Sequence, residues 1–521
     1  MAALLFLLAA APMADAPESA PKYDVVVAGS EPEGIAAAVT AARLGRRTLL
    51  VTTDPRLGGT FTLAKLAMLD MNTGEHSQIL TRGFFLEFYR AVGKTPAFDV
   101  ARAQGFFDRV AAAEPTLEVK TVVPADALEA YAKEGRRVID ATGDCSVAAG
   151  AGAPWFTGRE DLHLPGRMAD SLVLHVRGVD WTALARFTKG GKIGDAKIDP
   201  MGAWGYLSVT RPYVPQSAHV RLRGLNIARQ GDGSVLINAL LVFDISPFDA
   251  DSVRAGIADA KREAPRVAEF LKAHLPGFER AEWVDDVHRL YVRETLHIEA
   301  EYQLKLSDVI ENRDFPDAIA VGSYPVDHQS YRPTDFGTVY GKPRAFAIPF
   351  RSLIPKRLDR MLVVGRCAGY TSLAAGSART IPVGMVEGEA AGVAASLSLE
   401  TGLTFPEMAK RPEAVAKLQK ALIQRGLILH PLAPHPSPFA GNPHQKEILQ
   451  ALDLGLISGG YNNDFHLNAR LSREQFEELW KVAAHRKLGE ESRTIPSGGP
   501  DFRGGFIVRQ DALAWILRHL K

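Results

Sequence analysis

The sequence predicts an α/β protein with a central parallel sheet, interrupted by a mixed α+β region and followed by a small helical tail. Three observations carry this. Tyr23–Ala28 is an apolar run that breaks at Gly29, turns tightly and enters a small-residue helix at Gly34. From Tyr23 to about Asp144, strand-like and helix-like segments alternate, as they do in parallel sheets with helical crossovers. A late apolar strand ending in glycine, Arg360–Gly365, returns after a long stretch of different texture.

The first element reads as a phosphate-binding strand–turn–helix. Free amides of the turn and the helix N-terminus suit a pyrophosphate, and Ile35-Ala36-Ala37-Ala38 with Ala41 and Ala42 lets the helix lie close to the sheet. Glu31 stands at the middle position of G-x-G-x-x-G, where a side chain crowds a pyrophosphate and a carboxylate repels it unless it swings away. The second strand, Arg47–Val51, ends in Thr52 and Thr53 instead of the acid that holds ribose hydroxyls. Asp54 reaching round, or a threonine hydroxyl, is the substitute available. A glycine turn also joins strand and helix where no nucleotide binds; the strand–helix context favours the nucleotide.

Further along, Gly58-Gly59 is a second point of close backbone approach. Helical stretches are expected over about His76–Val92 and Val100–Ala113, a strand over Leu117–Val123, and a short helical Pro124–Gly135 in place of the usual antiparallel meander. Arg137–Ala141 then runs into Thr142-Gly143-Asp144. In the inserted region, Ser171–Val176, Val220–Leu222, Val235–Phe243 and Ala318–Val321 read as strands. Asp251–His274 reads as an amphipathic helix kinked or split at Pro265. Gly384, Gly388 and Gly392 share one face of the helix Gly384–Leu399, so another backbone can approach there. The expected division is 1–21 signal and linker, 22–160 and 356–402 nucleotide domain, 161–355 substrate domain, 403–443 linker and 444–521 helical module.

Composition narrows the function. The chain has 521 residues, 46% of them hydrophobic, enough for about three domains with full cores. Its 61 basic and 60 acidic residues leave a net charge of +1, which points away from nucleic acid. There is no zinc-type spacing. Cys145 and Cys367 make no framework; two buried free thiols are expected, with one bridge open if the fold brings them together. The uncharged apolar run Ala2–Ala11, the Ala14-Asp15-Ala16 cleavage pattern and the Pro/Ser stretch after it resemble a secretory signal, although its start lacks Lys or Arg. The run is too short to span a bilayer, so an extracytoplasmic protein without a transmembrane segment is expected.

Four stretches taken in order resemble the FAD-dependent oxidoreductases of the glutathione-reductase and fumarate-reductase structural class. They are Gly29–Gly34, Gly58-Gly59, Ile139–Asp144, and Met361–Arg366 with Gly376–Gly384. Arg293–Ile298, Gly322–Asp327 and Pro333–Gly337 are further matches. The resemblance spans about Tyr23–Ala395 and implies a Rossmann-like FAD-binding domain with FAD as cofactor. It implies that Gly29, Ser30, Glu31, Gly34, Thr52, Thr53, Gly58, Gly59, Val122, Thr142, Gly143 and Asp144 serve the adenylate half. Gly365 and Arg366 would pass the ribityl chain. Arg379, Pro382 and Gly384 would face the flavin at a helix N-terminus whose partial positive charge favours the reduced anion. A helix-end salt bridge is the other role open to Arg379.

For catalysis, Arg293 and His297 lie at i, i+4 if their stretch is helical, with Glu294 and Glu301 nearby. They are the candidates for a proton donor or oxyanion clamp, and an internal ion-pair network is the alternative. Asp327, His328, Tyr331 and Arg332 are loop candidates for the substrate mouth. The expected reaction is hydride transfer between a small organic substrate and flavin N5. An NAD(P)-dependent dehydrogenase, a flavin monooxygenase and an exported cell-wall-binding protein on an inactive flavin fold are the rivals. The last draws on the tail, where Ile448–Phe465 and Leu471–Phe476 resemble an S-layer homology repeat, a type of module that binds wall polymers. Phe506–Leu520 echoes its second half, and a helical packing module on the enzyme is the equal alternative for this tail.

Overall fold

The computed structural model describes residues 21–191, 193–431, 435–490 and 493–520. The secretory signal expected in the first twenty residues lies outside them.

The first half of the sheet forms as its pattern requires. β1 (Tyr23–Ala28) carries alternating and then continuous apolar side chains, all but Asp24 buried. α1 (Pro32–Arg43) opens with proline in its first turn, where the missing N–H does no harm. β2 (Thr48–Val51), β3 (Leu117–Lys120) and β4 (Gly135–Asp140) follow, and β5 (Met361–Val363) joins more than two hundred residues later. The order is β5-β4-β1-β2-β3, parallel throughout. The carboxyl ends of β1, β2, β4 and β5 therefore open on one side, the side where such sheets bind ligands.

β5 leads into α2 (Ile381–Thr401), which is buried along nearly its whole length. The glycine face expected there meets α1. A Cβ on Gly388 would run into the Glu33 carbonyl oxygen, and one on Gly392 would lie 2.6 Å from that of Ala37. Only bare backbone permits this approach.

The inserted region forms a six-stranded antiparallel sheet with Asp170–Arg177, Val235–Val242 and Val220–Arg229 at its centre. Ala250–His274 covers one face and packs Ala260, Ala264, Val267 and Leu271 into a separate core. That helix is continuous and not split at Pro265, which lies on the exposed face. The helix expected over His76–Val92 is confined to Phe84–Ala91, because Gly83 (φ 63°) interrupts the chain before it.

Two further departures bear on organisation. Residues 403–443, expected as a linker, contain the helices Phe405–Lys410 and Pro412–Gln424, which bury Phe405, Met408, Leu418 and Leu422. The tail helices Gln445–Asp453 and Arg509–His519 bury Ile448, Leu452, Leu513 and Leu517 in the same core as α2. Asp453 also accepts hydrogen bonds from Ser307 N (2.8 Å) and Oγ (2.9 Å). Cys145 and Cys367 are not free thiols: they form a disulfide across 222 residues, joining the loops that follow β4 and β5. Among the described residues no helix is long and apolar enough to cross a membrane.

Candidate active site

The strand ends enclose a cleft of about 310 Å³. Gly29 (φ 105°) closes the turn after β1, and a Cβ there would strike the Ala141 carbonyl. A Cβ on Gly34 would come within 2.8 Å of Ala141 Cβ, so this glycine sets the distance between α1 and the sheet. The Ser30 hydroxyl donates to Asp54 (2.6 Å), and that of Thr52 donates to Ser30 (3.1 Å). Asp54 lines the cleft and is gripped by Arg289 Nη1 at 2.5 Å. An acid thus does stand at the end of β2, two residues late, and Thr52 orients it by accepting the Asp54 N–H (3.1 Å).

Across the cleft, Thr142-Gly143-Asp144 is shaped from below by Asp140. That carboxylate accepts from Thr142 N (2.9 Å), Thr142 Oγ1 (2.6 Å) and Ala148 N (2.7 Å), and burial pushes its pKa up to about 6. The Gly143 carbonyl accepts Arg366 Nε (2.8 Å) and Thr295 Oγ1 (2.8 Å). Glu31 turns away from solvent, 2% exposed. It accepts the Thr60 N–H at 2.7 Å, Arg366 Nη2 at 3.1 Å and Arg289 Nη2 at 3.4 Å. Burial alone would raise its pKa; Arg366, Arg289 and Thr60 outweigh burial and hold it below the ordinary range. Gly58 and Gly59 sit beside it, Gly58 N donating to Ser30 O at 2.9 Å. Thr53 lines the cleft, but Val122 does not: its side chain is exposed on the loop after β3, where the backbone turns to φ 57°.

Arg366 and Val292 border both this cleft and a throat of about 20 Å³. A second cavity, of about 290 Å³, adjoins the throat and shares its lining. Thr380, Ile381 and Pro382, the start of α2, form the throat wall. Arg379, Arg293, Tyr291 and Asp70 line throat and cavity alike. Arg379 is held by the Tyr291 hydroxyl (3.3 Å), and its buried Nε has no partner among the described residues. Burial pushes the Asp70 carboxyl above its ordinary range, against the pull of Arg379. Trp204, Asn226 and Asn238 reach the cavity from the inserted sheet, and Asp327 and Gln329 from the loop beyond it.

Gly365 and Gly384 lie behind this wall, packed on Glu33. Burial and the neighbouring Glu31 push the Glu33 pKa up to about 8; burial likewise pushes Glu387 up to about 7. Glu387 accepts the Tyr370 hydroxyl and, at 3.1 Å, the Gly365 amide.

The pairing of Arg293 with His297 does not stand. Leu296–Ile298 is a strand that pairs with Trp155–Thr157, a consequence of its apolar and β-branched flanks, so i, i+4 spacing has no meaning there. Arg293 faces the cavity, its Nη1 donating to Ala169 O (2.7 Å) and Ser171 Oγ (2.9 Å). His297 lines neither cavity. It stacks on Phe156 and hydrogen-bonds Glu294 through Nε2 at 3.1 Å, the internal network that was its alternative. His328 is also buried, tied to Tyr331 (2.6 Å) and the Leu373 carbonyl (2.9 Å). Sequence reasoning missed Arg289, Tyr291 and Asp70. The first two lie within four residues of Arg293, a signal that a wider search around that motif would have used; Asp70 sits in an irregular loop with no local signal.

The turn at Gly29, the polar cleft and the adjoining throat at the start of α2 suit a long nucleotide, with the Glu31 carboxylate set against its phosphates. The solved structures similar to this chain include a geranylgeranyl bacteriochlorophyll reductase-like protein from Thermoplasma acidophilum (14% identity, 90% of this chain and 97% of that one, TM-score 0.35). They also include p-nitrophenol 4-monooxygenase from Pseudomonas putida (12%, 84% and 93%, 0.35) and the flavin-dependent brominase Bmp2 (12%, 83% and 94%, 0.33). No protein of curated function matches. The model of the family described as FAD dependent oxidoreductase matches residues 24–422, and the chain therefore belongs to that family: it is an FAD-dependent oxidoreductase.

Proposed function

We propose that the enzyme passes a hydride between a small polar organic substrate in the second cavity and N5 of the flavin. The observation that supports this is the throat, where Arg366 and the first turn of α2 stand between the polar cleft and an adjoining cavity lined by Arg293, Arg379, Asp70 and two asparagines. Gly29, Ser30, Gly34, Thr52, Thr53, Asp54, Gly58, Gly59, Thr142, Gly143 and Asp144 would hold the adenylate and pyrophosphate. Arg379 and Pro382 would face the flavin half, with Arg366 between it and the pyrophosphate, while Gly365 and Gly384, packed on Glu33, would only let this wall lie close to α1.

FAD, when bound, supplies the two-electron acceptor. The protein supplies position and potential. Arg293, fixed by Ala169 and Ser171, presents a guanidinium to a substrate carboxylate or oxyanion. Arg379 and the α2 N-terminus add positive potential that suits a reduced, anionic flavin. Asp70, with its raised pKa, is the carboxyl best placed to hold a substrate proton. Anaerobic mixing of the yellow holoprotein with polar alcohols, amines and hydroxy acids tests this: one class should bleach the flavin and yield its two-electron-oxidised product. Bleaching by none of them, with turnover only when labelled oxygen enters the product, overturns hydride transfer in favour of monooxygenation. Acid precipitation of the same sample distinguishes covalent from dissociable flavin by whether the colour stays in the pellet.

We further propose that the protein works outside the cytoplasm. The Ala14-Asp15-Ala16 pattern and the Cys145–Cys367 disulfide both suit an oxidising compartment. The tail as a wall-polymer module draws support from its repeat-like sequence alone. Co-sedimentation of the full chain with purified cell wall tests it.

A further inference from the structure

Glu31 makes an unusual set of contacts for a residue in a phosphate-binding turn. In the G-x-G-x-x-G pattern its position is glycine so that backbone can approach the pyrophosphate. Its carboxylate is buried and meets a backbone amide, Thr60 N at 2.7 Å, and two guanidinium groups, Arg366 at 3.1 Å and Arg289 at 3.4 Å. Backbone N–H and arginine are the donors that recognise phosphate.

The surroundings are cut to this carboxylate. Gly59 has φ 37°, and a Cβ on it would collide with Glu31 Oε2, so the second glycine pair leaves room for a side chain of the first turn. Gly143 likewise has no room for a Cβ beneath the Arg366 guanidinium that reaches Glu31. The charges around it balance without a ligand: Glu31 and Asp54 against Arg289 and Arg366. A pyrophosphate would add about two negative charges to a neutral set.

We propose that the Glu31 carboxylate is a built-in occupant of the phosphate seat, and that FAD binds by displacing it from Arg366 and the Thr60 amide. This rests on the assignment of the cleft to FAD. Affinity for FAD is then set by a competition inside the turn, and Glu31 is the residue that weakens it. The carboxylate holds the empty turn in shape and must leave when the cofactor enters.

The test is FAD titration of the deflavinated full-length protein, wild type against Glu31→Gln and Glu31→Gly, followed by quenching of flavin fluorescence, with thermal melting of each protein without FAD. Both variants should bind FAD at least about tenfold more tightly, as removal of one like charge near a phosphate predicts. Both should melt lower than wild type when empty, because Arg366 loses its partner. A variant that melts lower and binds FAD no better, or more weakly, shows a purely structural glutamate and overturns the proposal while leaving the FAD assignment intact. Failure of wild type and of both folded variants to bind FAD overturns the proposal together with the assignment beneath it.

Discussion

Arg293 is buried between throat and cavity with its charge directed by hydrogen bonds to Ala169, Ser171 and Asn238 and stacked over the Tyr291 ring at 4.4 Å. Arg293→Met should lower kcat about a hundredfold while the bound flavin spectrum persists, since a preorganised charge in a dry site contributes on the order of 3 kcal/mol to a developing anion. Steady-state kinetics beside the visible spectrum of the variant checks this. Arg293→Lys should recover part of the rate, keeping the charge without the fork. Glu33 makes a different prediction. Its pKa in the fold is raised to about 8, first by burial and then by Glu31, so the folded state holds a proton that the unfolded chain releases. Its contribution to stability is complete below the ordinary glutamate range and is lost as the pH rises through about 8. The melting temperature should therefore fall from about pH 5 to pH 9, and Glu33→Gln should flatten that fall, an effect that thermal melting across the range reads directly. The role of Glu31 was partly legible in the sequence: its conflict with a phosphate was evident from its position, whereas its partners were not, because Arg289 and Arg366 lie in segments hundreds of residues away.

At the scale of elements, the meeting of α1 and α2 sets the geometry behind the cleft. Gly388 touches the Glu33 carbonyl, which is backbone and cannot give way, so Gly388→Val should cost roughly 2–4 kcal/mol, and chemical denaturation followed by circular dichroism measures it. The glycine face was readable because spacing at i, i+4 survives in any helix; its partner was a matter of topology. The parallel strands were readable for the same kind of reason, since a strand buried on both faces leaves a continuous apolar run. Whether Arg293–Ile298 is helical was left open by the sequence, because three ordered residues pairing with Trp155–Thr157 leave no periodicity of their own. The bridge between Cys145 and Cys367 depends on β4 and β5 being neighbours, a fact no local pattern holds.

For the whole molecule, the disulfide joins the two halves of the nucleotide domain around the insertion. Closing so long a loop restricts the unfolded chain, so the double variant Cys145→Ala with Cys367→Ala should lose about 2–5 kcal/mol. Its melting temperature should no longer respond to reductant under partly denaturing conditions, while that of the native chain should. The tail shares the principal core, as its reading as a packing module on the enzyme has it; sequence alone left that level with wall binding, because its apolar positions look the same whether they face one another or a neighbouring domain. One consequence follows from the position of β5 in the sheet. Until residue 363 has been synthesised, β4 has a bare edge where β5 will pair, and the groove lacks the wall that carries Arg366 and Arg379. A nascent chain on the ribosome thus holds half a binding site for most of its synthesis. Cofactor loading belongs after β5 and the start of α2 have been made, and a chain threaded unfolded across a membrane would acquire its colour on the far side.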